Sequence, residues 1–202
     1  PVVNNTSASV AYSADKVSMN LSLNYFDDQG VYIKDSFNKT NVNFNTIYQL
    51  SKAVTVQASS ILSFHGRNAN NTLAYGRNPL WPVYAENGGY YLTSETDFDH
   101  PLVTTENVRN YTAGKDVITS LAAEAELMEG LKIRSQLNYS YLSSIQDVYH
   151  ASNTSQDAYD LKGRAQMNYW SSQDILSETY LTYSGTSARH TYSVMAGHSF
   201  DK

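Results

Sequence analysis

Cysteine is absent from all 202 residues. That excludes a disulfide framework, a thiolate zinc site and a cysteine nucleophile. Charge is scarce: Asp, Glu, Lys and Arg make up 16%, against about a quarter in an ordinary soluble domain. No apolar run approaches the roughly 18 residues of a transmembrane helix. The net charge of −5 supplies no basic surface, which argues against a nucleic-acid partner. No G-x-S-x-G elbow, Walker loop or dinucleotide fingerprint occurs, and the five histidines lack zinc-ligand spacing. Asp97-Phe98-Asp99-His100 gathers oxygen and nitrogen ligands, but without the glycine turn and distal glutamate of a calcium loop. No catalytic residue, metal or cofactor is expected. What fills the chain is uncharged polarity, Asn, Ser, Thr and Gln, together with 17 Tyr; aromatics reach 12%, which opposes disorder.

The arrangement of these residues has a period of two. Val17, Met19, Leu21, Leu23 and Tyr25 alternate with Ser18, Asn20, Ser22 and Asn24. Successive side chains of a strand point to opposite faces, so such a run has one apolar and one polar face. The pattern recurs at Val42–Leu50, Val54–Phe64, Leu131–Tyr141 and Ala165–Tyr169. Weaker runs complete about nine strands: 6–13, 17–26, 37–50, 53–65, 116–128, 131–144, 159–170, 175–184 and 189–200. Over 117–129 the run Ala122–Glu129 has high helix propensity. The strand is favoured there because the neighbours are strands and Glu129-Gly130 reads as a hairpin turn.

Short and longer links alternate along the chain, at 14–16, 27–36, 51–53, 66–114, 129–130, 145–158, 171–173 and 185–188. In an up-and-down meander this sorts tight turns to one end and elaborate loops to the other, as in outer-membrane barrels. The runs also exceed the usual strand of about 5 or 6 residues and match the roughly 9–11 needed to cross a bilayer at a tilt. The expected fold is therefore all-β, an antiparallel meander forming a single piece, 1–202, of a transmembrane β-barrel with one long loop, 66–114. Pro1-Val2-Val3 and Phe200-Asp201-Lys202 read as the ends of a segment of a longer protein. Two open edges predict that the isolated segment self-associates through its edge strands or curls into a smaller barrel or sandwich.

The long loop differs in composition. It holds Pro79, Pro82 and Pro101, and the aromatics Tyr75, Trp81, Tyr84, Tyr90, Tyr91 and Phe98. A loop this long is either functional or a separately packed element. Two readings stay open, a self-packed cap and direct contact with a ligand; in the second, Arg77, Trp81, Tyr84, Tyr90 and Tyr91 are the candidate ligand-binding residues. The alternative to a barrel segment is a soluble all-β binding or adhesin-like domain.

The residues also resemble a known family. Val17 through Gly30, then Phe37–Leu50, Val54–Phe64, the Arg77-Asn78-Pro79 element running on to Tyr84, and Pro101–Asn107 with Leu121–Leu127, Gly130–Lys132 and Arg134–Tyr139 are similar to the barrel of SusC/RagA-like TonB-linked outer-membrane transporters of Bacteroidetes. The resemblance implies a bacterial outer-membrane location and import of a nutrient, a glycan or a peptide, without catalysis. It implies a SusD-like surface lipoprotein as partner and energy supplied by TonB with ExbB and ExbD. The resemblance assigns no individual ligand contact.

Overall fold

The structure, a computed structural model, describes residues 2–70 and 77–202. Its described part contains eight strands: β1 (Val3–Ala14), β2 (Val17–Gln29), β3 (Ser36–Gln49), β4 (Val54–Asn68), β5 (Val108–Met128), β6 (Leu131–His150), β7 (Arg164–Ser187) and β8 (His190–Asp201). They form one antiparallel sheet in sequence order, with each strand paired to its chain neighbour. Two short helices, α1 (Pro101–Asn107) and α2 (Gln156–Asp160), lie in the long connections.

Alternation of residue types fixes the two faces. Leu21 stands opposite Val10 and Phe44, Leu62 opposite Val42 and Val117, and Leu137 opposite Leu121. Partners across a ladder share a face, so these side chains make one continuous apolar surface. The other face carries Asn24, Asn43, Ser63, Gln136 and Glu178, cross-linked by side-chain hydrogen bonds. Asn24 Nδ2 donates to Asn5 Oδ1 at 2.7 Å, and Gln136 Nε2 to Glu178 Oε2 at 2.8 Å. Arg134 lies 3.7 Å from Glu124 on the same face.

Three expectations change. The meander has eight strands, not nine, because Ser171-Ser172-Gln173 is not a turn. These residues pair with Ser143, Leu142 and Tyr141 inside a β7 that runs unbroken from Arg164 to Ser187. A polar interruption in the alternation looked like a link, but the long β6 offers a hydrogen-bonding partner for every residue through it. The tight turn lies instead at Ala188-Arg189, where Ala188 has φ 53°. The sheet also stays open: β1 pairs only with β2 and β8 only with β7, so it neither curls into a smaller barrel nor stacks as a sandwich. The long loop, expected over 66–114, is shorter at both ends, since β4 runs to Asn68 and β5 begins at Val108.

With the false turn removed, the sorting of connections is complete. Asp15-Lys16, 50–53, Glu129-Gly130 and Ala188-Arg189 close one end; 30–35, 69–107 and 151–163 occupy the other. The helix-prone Ala122–Glu126 run is strand, as the alternation indicated: Ala122 pairs with Gln57 and Gln136 and is buried between them. Pairing on both sides outweighs intrinsic propensity here. Strands β5, β6 and β7, with 21, 20 and 24 residues, outreach the 12 to 15 of β1–β4.

Burial is concentrated at the long-loop end. The sheet contributes Ser63, Gly66, Gly114 and Ala122; His100, Val103, Thr105, Thr154 and Ala158 all lie in the long connections. Among the described residues no second layer packs on the sheet, and its apolar face is open along its length.

Candidate functional site

The long connections pack into one cap at that end. Arg77 is its clasp. The guanidinium Nη1 lies 2.9 Å from Asp97 Oδ2, Nη2 donates to the Tyr91 carbonyl, and the plane sits 5.6 Å over the Trp81 ring. The Arg77 and Asp97 side chains retain 9% and 5% of their accessibility. Asp97 also accepts from Thr93 N and Oγ1, at 2.9 and 3.0 Å. Burial alone would push the Asp97 carboxyl up. The bonds from Thr93 and the Arg77 charge outweigh it and hold the carboxyl below the ordinary carboxylate range.

His100 is the second organiser and is almost fully buried. Its Nδ1 accepts from Val103 N at 3.4 Å and caps α1, so Nε2 carries the proton and donates to the Val83 carbonyl at 3.1 Å. Pro101, at the first turn of α1, has no N–H to leave unsatisfied. Asp97 and His100 thus do separate jobs. Among the described residues no group of three or more acidic, His or Cys side chains could hold a metal.

The aromatics build outward from these anchors. Tyr90 stacks on Tyr84, with ring centroids 5.7 Å apart, and lies 4.9 Å from the His100 ring. Its hydroxyl donates to Glu106 Oε1 at 2.6 Å, and this carboxylate pushes the Tyr90 pKa up to about 12. The Glu106 carbonyl accepts from Lys34 Nζ at 3.3 Å. Lys34 has φ 65°, a left-handed conformation unusual outside glycine; it sits inside the turn closed by Asp35 N donating to the Tyr32 carbonyl at 3.0 Å. Asn70 Nδ2 donates to the Ile33 carbonyl and to Thr105 Oγ1. Phe98 packs 6.2 Å from Tyr159 of α2, and Ala151 N donates to the Asn107 carbonyl at 3.1 Å. All three long connections are therefore tied together.

The five candidate residues fall into two groups. Arg77 and the backbone of Tyr91 are spent on the clasp. Trp81 and Tyr84 remain 40% and 57% exposed, beside Leu80 and Pro82, with Tyr90 stacked behind. Tyr84 stacks with Tyr90 and Trp81 stands under Arg77, so each presents a separate exposed ring whose shape suits the face of a sugar ring or an apolar peptide side chain. Tyr75 lies outside the described residues.

The polar face of the sheet carries groups that alternation alone did not single out. Phe26, Phe37 and His65 follow one another there, with ring centroids 6.1 and 6.5 Å apart, and His65 Nδ1 lies 3.8 Å from Asp116. Trp170 is exposed on the same face. Their signal was available: each is aromatic in the polar phase of its strand.

No family model matches the chain. It is 24% identical, over 219 aligned positions, to the TonB-dependent receptor P3 of Formosa agariphila, covering 99% of this chain and 21% of that protein. Its fold matches the RagAB peptide transporter with a TM-score of 0.81 at 12% identity, over 98% of this chain and 24% of that one. The closed-closed and open-open states of the RagAB peptide importer match with TM-scores of 0.82, at 13% and 12% identity. The chain spans between a fifth and a quarter of the length of these relatives. The resemblance read from the sequence is borne out: in fold, and in sequence along its whole length, this chain is similar to a section of the barrel wall of TonB-dependent outer-membrane transporters.

Proposed function

We propose that the chain forms part of the wall and outer cap of a TonB-dependent importer that brings an oligosaccharide or peptide across the bacterial outer membrane without catalysis. One observation supports this above the rest. The sheet is a single layer whose apolar face no described residue covers, while most buried side chains gather in the loops at one end. A soluble binding or adhesin-like domain would bury that face against a second layer. A barrel wall turns it to lipid and its polar face to a wet interior.

The cap supplies the contact surface. Trp81 and Tyr84 are the ligand-facing rings, Tyr90 stacks behind Tyr84, and Arg77 holds Trp81 and the Tyr91 backbone in place. A SusD-like surface lipoprotein closes over this end, and TonB with ExbB and ExbD drives uptake; both come with the reading as partners of the full-length protein. The test is uptake of labelled oligosaccharides and labelled oligopeptides by cells producing the full-length protein. One of the two classes enters, entry stops when the proton-motive force is dissipated, and Trp81→Ala with Tyr84→Ala reduces it about tenfold or more, as loss of two stacking contacts implies. Uptake of neither class, or uptake indifferent to the proton-motive force, refutes the reading.

A further inference from the structure

Where the apolar face of the sheet ends toward the long loops, its surface changes character. On β5 the apolar phase runs Ala125, Ala123, Leu121, Thr119, Val117 and then reaches Lys115. Lys115 stands between Phe64 of β4 and Ser143 of β6. It is exposed, and no salt bridge among the described residues includes it. Asp116 points to the opposite face. The next cation up the same phase, Arg109, is by contrast paired with Asp147 at 3.6 Å.

Beside Lys115 the surface is hollow. Gly66 faces Ala113 across the ladder; the Tyr111 hydroxyl and the Asn38 amide lie over Gly66 as one wall, and Ala113 is left as the floor. Phe64 and Ile145 flank it. Hydroxyls gather on one side: Tyr141 and Tyr169 approach within 3.3 Å, one register step from Ser143 and Ser171. The hollow therefore presents one unpaired ammonium and several hydroxyls above a strip of apolar side chains, at the level where the aromatic border meets water.

We infer that this hollow seats the phosphorylated headgroup of an outer-leaflet glycolipid, with Lys115 meeting a phosphate, the tyrosine and serine hydroxyls meeting phosphate or sugar oxygens, and the acyl chains descending over Leu62, Val117 and Leu121. Charge complementarity selects an anion, and a charge-assisted bond to phosphate is among the stronger polar contacts available. The adjoining apolar strip selects a lipid over a free ion. This inference rests on the outer-membrane placement and not on the import reading.

The test uses the full-length protein purified in detergent and exposed to diphosphorylated lipid A, to dephosphorylated lipid A, and to inorganic phosphate as competitor, with retained lipid counted by native mass spectrometry. The diphosphorylated lipid is retained and the dephosphorylated one is largely lost. Lys115→Glu lowers apparent affinity about tenfold, and Lys115→Arg restores it. Ala113→Leu fills the floor without touching the charge, and it lowers retention while the barrel still shows heat-modifiable mobility. Equal retention of both lipids, no loss in Lys115→Glu, or displacement by inorganic phosphate overturns the inference; the last result assigns Lys115 to a free anion. Uptake measured on the same variants separates this site from transport, since Lys115→Glu leaves uptake unchanged.

Discussion

Replacing Leu121 by arginine tests which face of the sheet meets lipid. Leu121 lies on the apolar face between Ala58 and Leu137 and is 51% exposed. It is equidistant in sequence from Lys115, where cations begin, and from Leu127, beside the tight turn. At about 3.3 Å per residue the stretch from Lys115 to Leu127 is roughly 40 Å of strand. Tilted near 45° it spans about 28 Å along the membrane normal, close to the roughly 25 Å apolar band of a barrel. Leu121 is then about 14 Å from either border, at the midplane. Arginine on the lipid face there costs about 2–4 kcal/mol. The control is the adjacent Ser120, which faces Ser59 and Asn138 on the polar side; Ser120→Arg costs less than about 1 kcal/mol, as expected of a lumen position. The assay is reversible guanidinium unfolding of the full-length barrel in lipid vesicles, followed by tryptophan fluorescence. If Ser120→Arg costs as much as Leu121→Arg, or more, the assignment of faces fails and the barrel reading fails with it.

Five further outcomes follow from the cap, the wall and the edges. Arg77→Ala leaves the Asp97 carboxylate buried and unpaired at a cost of about 3–5 kcal/mol, seen as proteolysis or rapid amide exchange across 77–107 while the strands stay protected. Asp97, its carboxyl held below the ordinary value of 3.8, stabilises the cap above that pH and loses the contribution as pH falls through its lowered value; Asp97→Asn removes this acid dependence of protease resistance. Tyr90 has the opposite sign: raised from 10.0 to about 12, its bond to Glu106 is fully present below pH 10 and is lost as pH approaches 12, a change that Tyr90→Phe abolishes in a tyrosinate absorbance titration. In the wall, a Cβ on Gly114 would collide with the His65 imidazole, so Gly114→Val costs about 1–3 kcal/mol of overpacking in the same unfolding assay. Finally, the isolated chain, with β1 and β8 unpaired on their outer sides, sediments as concentration-dependent oligomers; a compact monomer with every strand protected from exchange would contradict this.

Much of the wall was legible because its signal is local and repeated. Val17, Met19, Leu21 and Leu23 need no partner to declare a two-faced strand, and Glu129-Gly130 announces its turn through a glycine at φ 77°. The link expected over 185–188 falls at Ala188-Arg189 and is tighter than expected, because an alanine takes the left-handed conformation there, where sequence leads one to look for Gly or Asn. The apparent break at Ser171–Gln173 misled for a related reason. Serine and glutamine are as common in turns as on the wet side of a strand, and only the pairing with β6 decides between them.

The cap was legible in composition but not in arrangement. Arg77 and Trp81 were visible as candidates, yet Arg77 proves to be spent on a carboxylate 20 residues away, and Trp81 lies beneath its guanidinium. The helices α1 and α2 carried usable signals, with Pro101 following the capping His100 and Ser155 capping Gln156–Asp160, but both are shorter than two or three turns and stand on tertiary contacts.

The sequence by itself determined the two-faced strands and the sorting of turns from loops, since both are properties of neighbouring residues. Only the tertiary structure decided the eight-strand count, the union of three loops into one cap and the hollow beside Lys115. Each of these depends on which strand lies against which, and hydrogen-bond pairing between residues far apart in the chain sets that register.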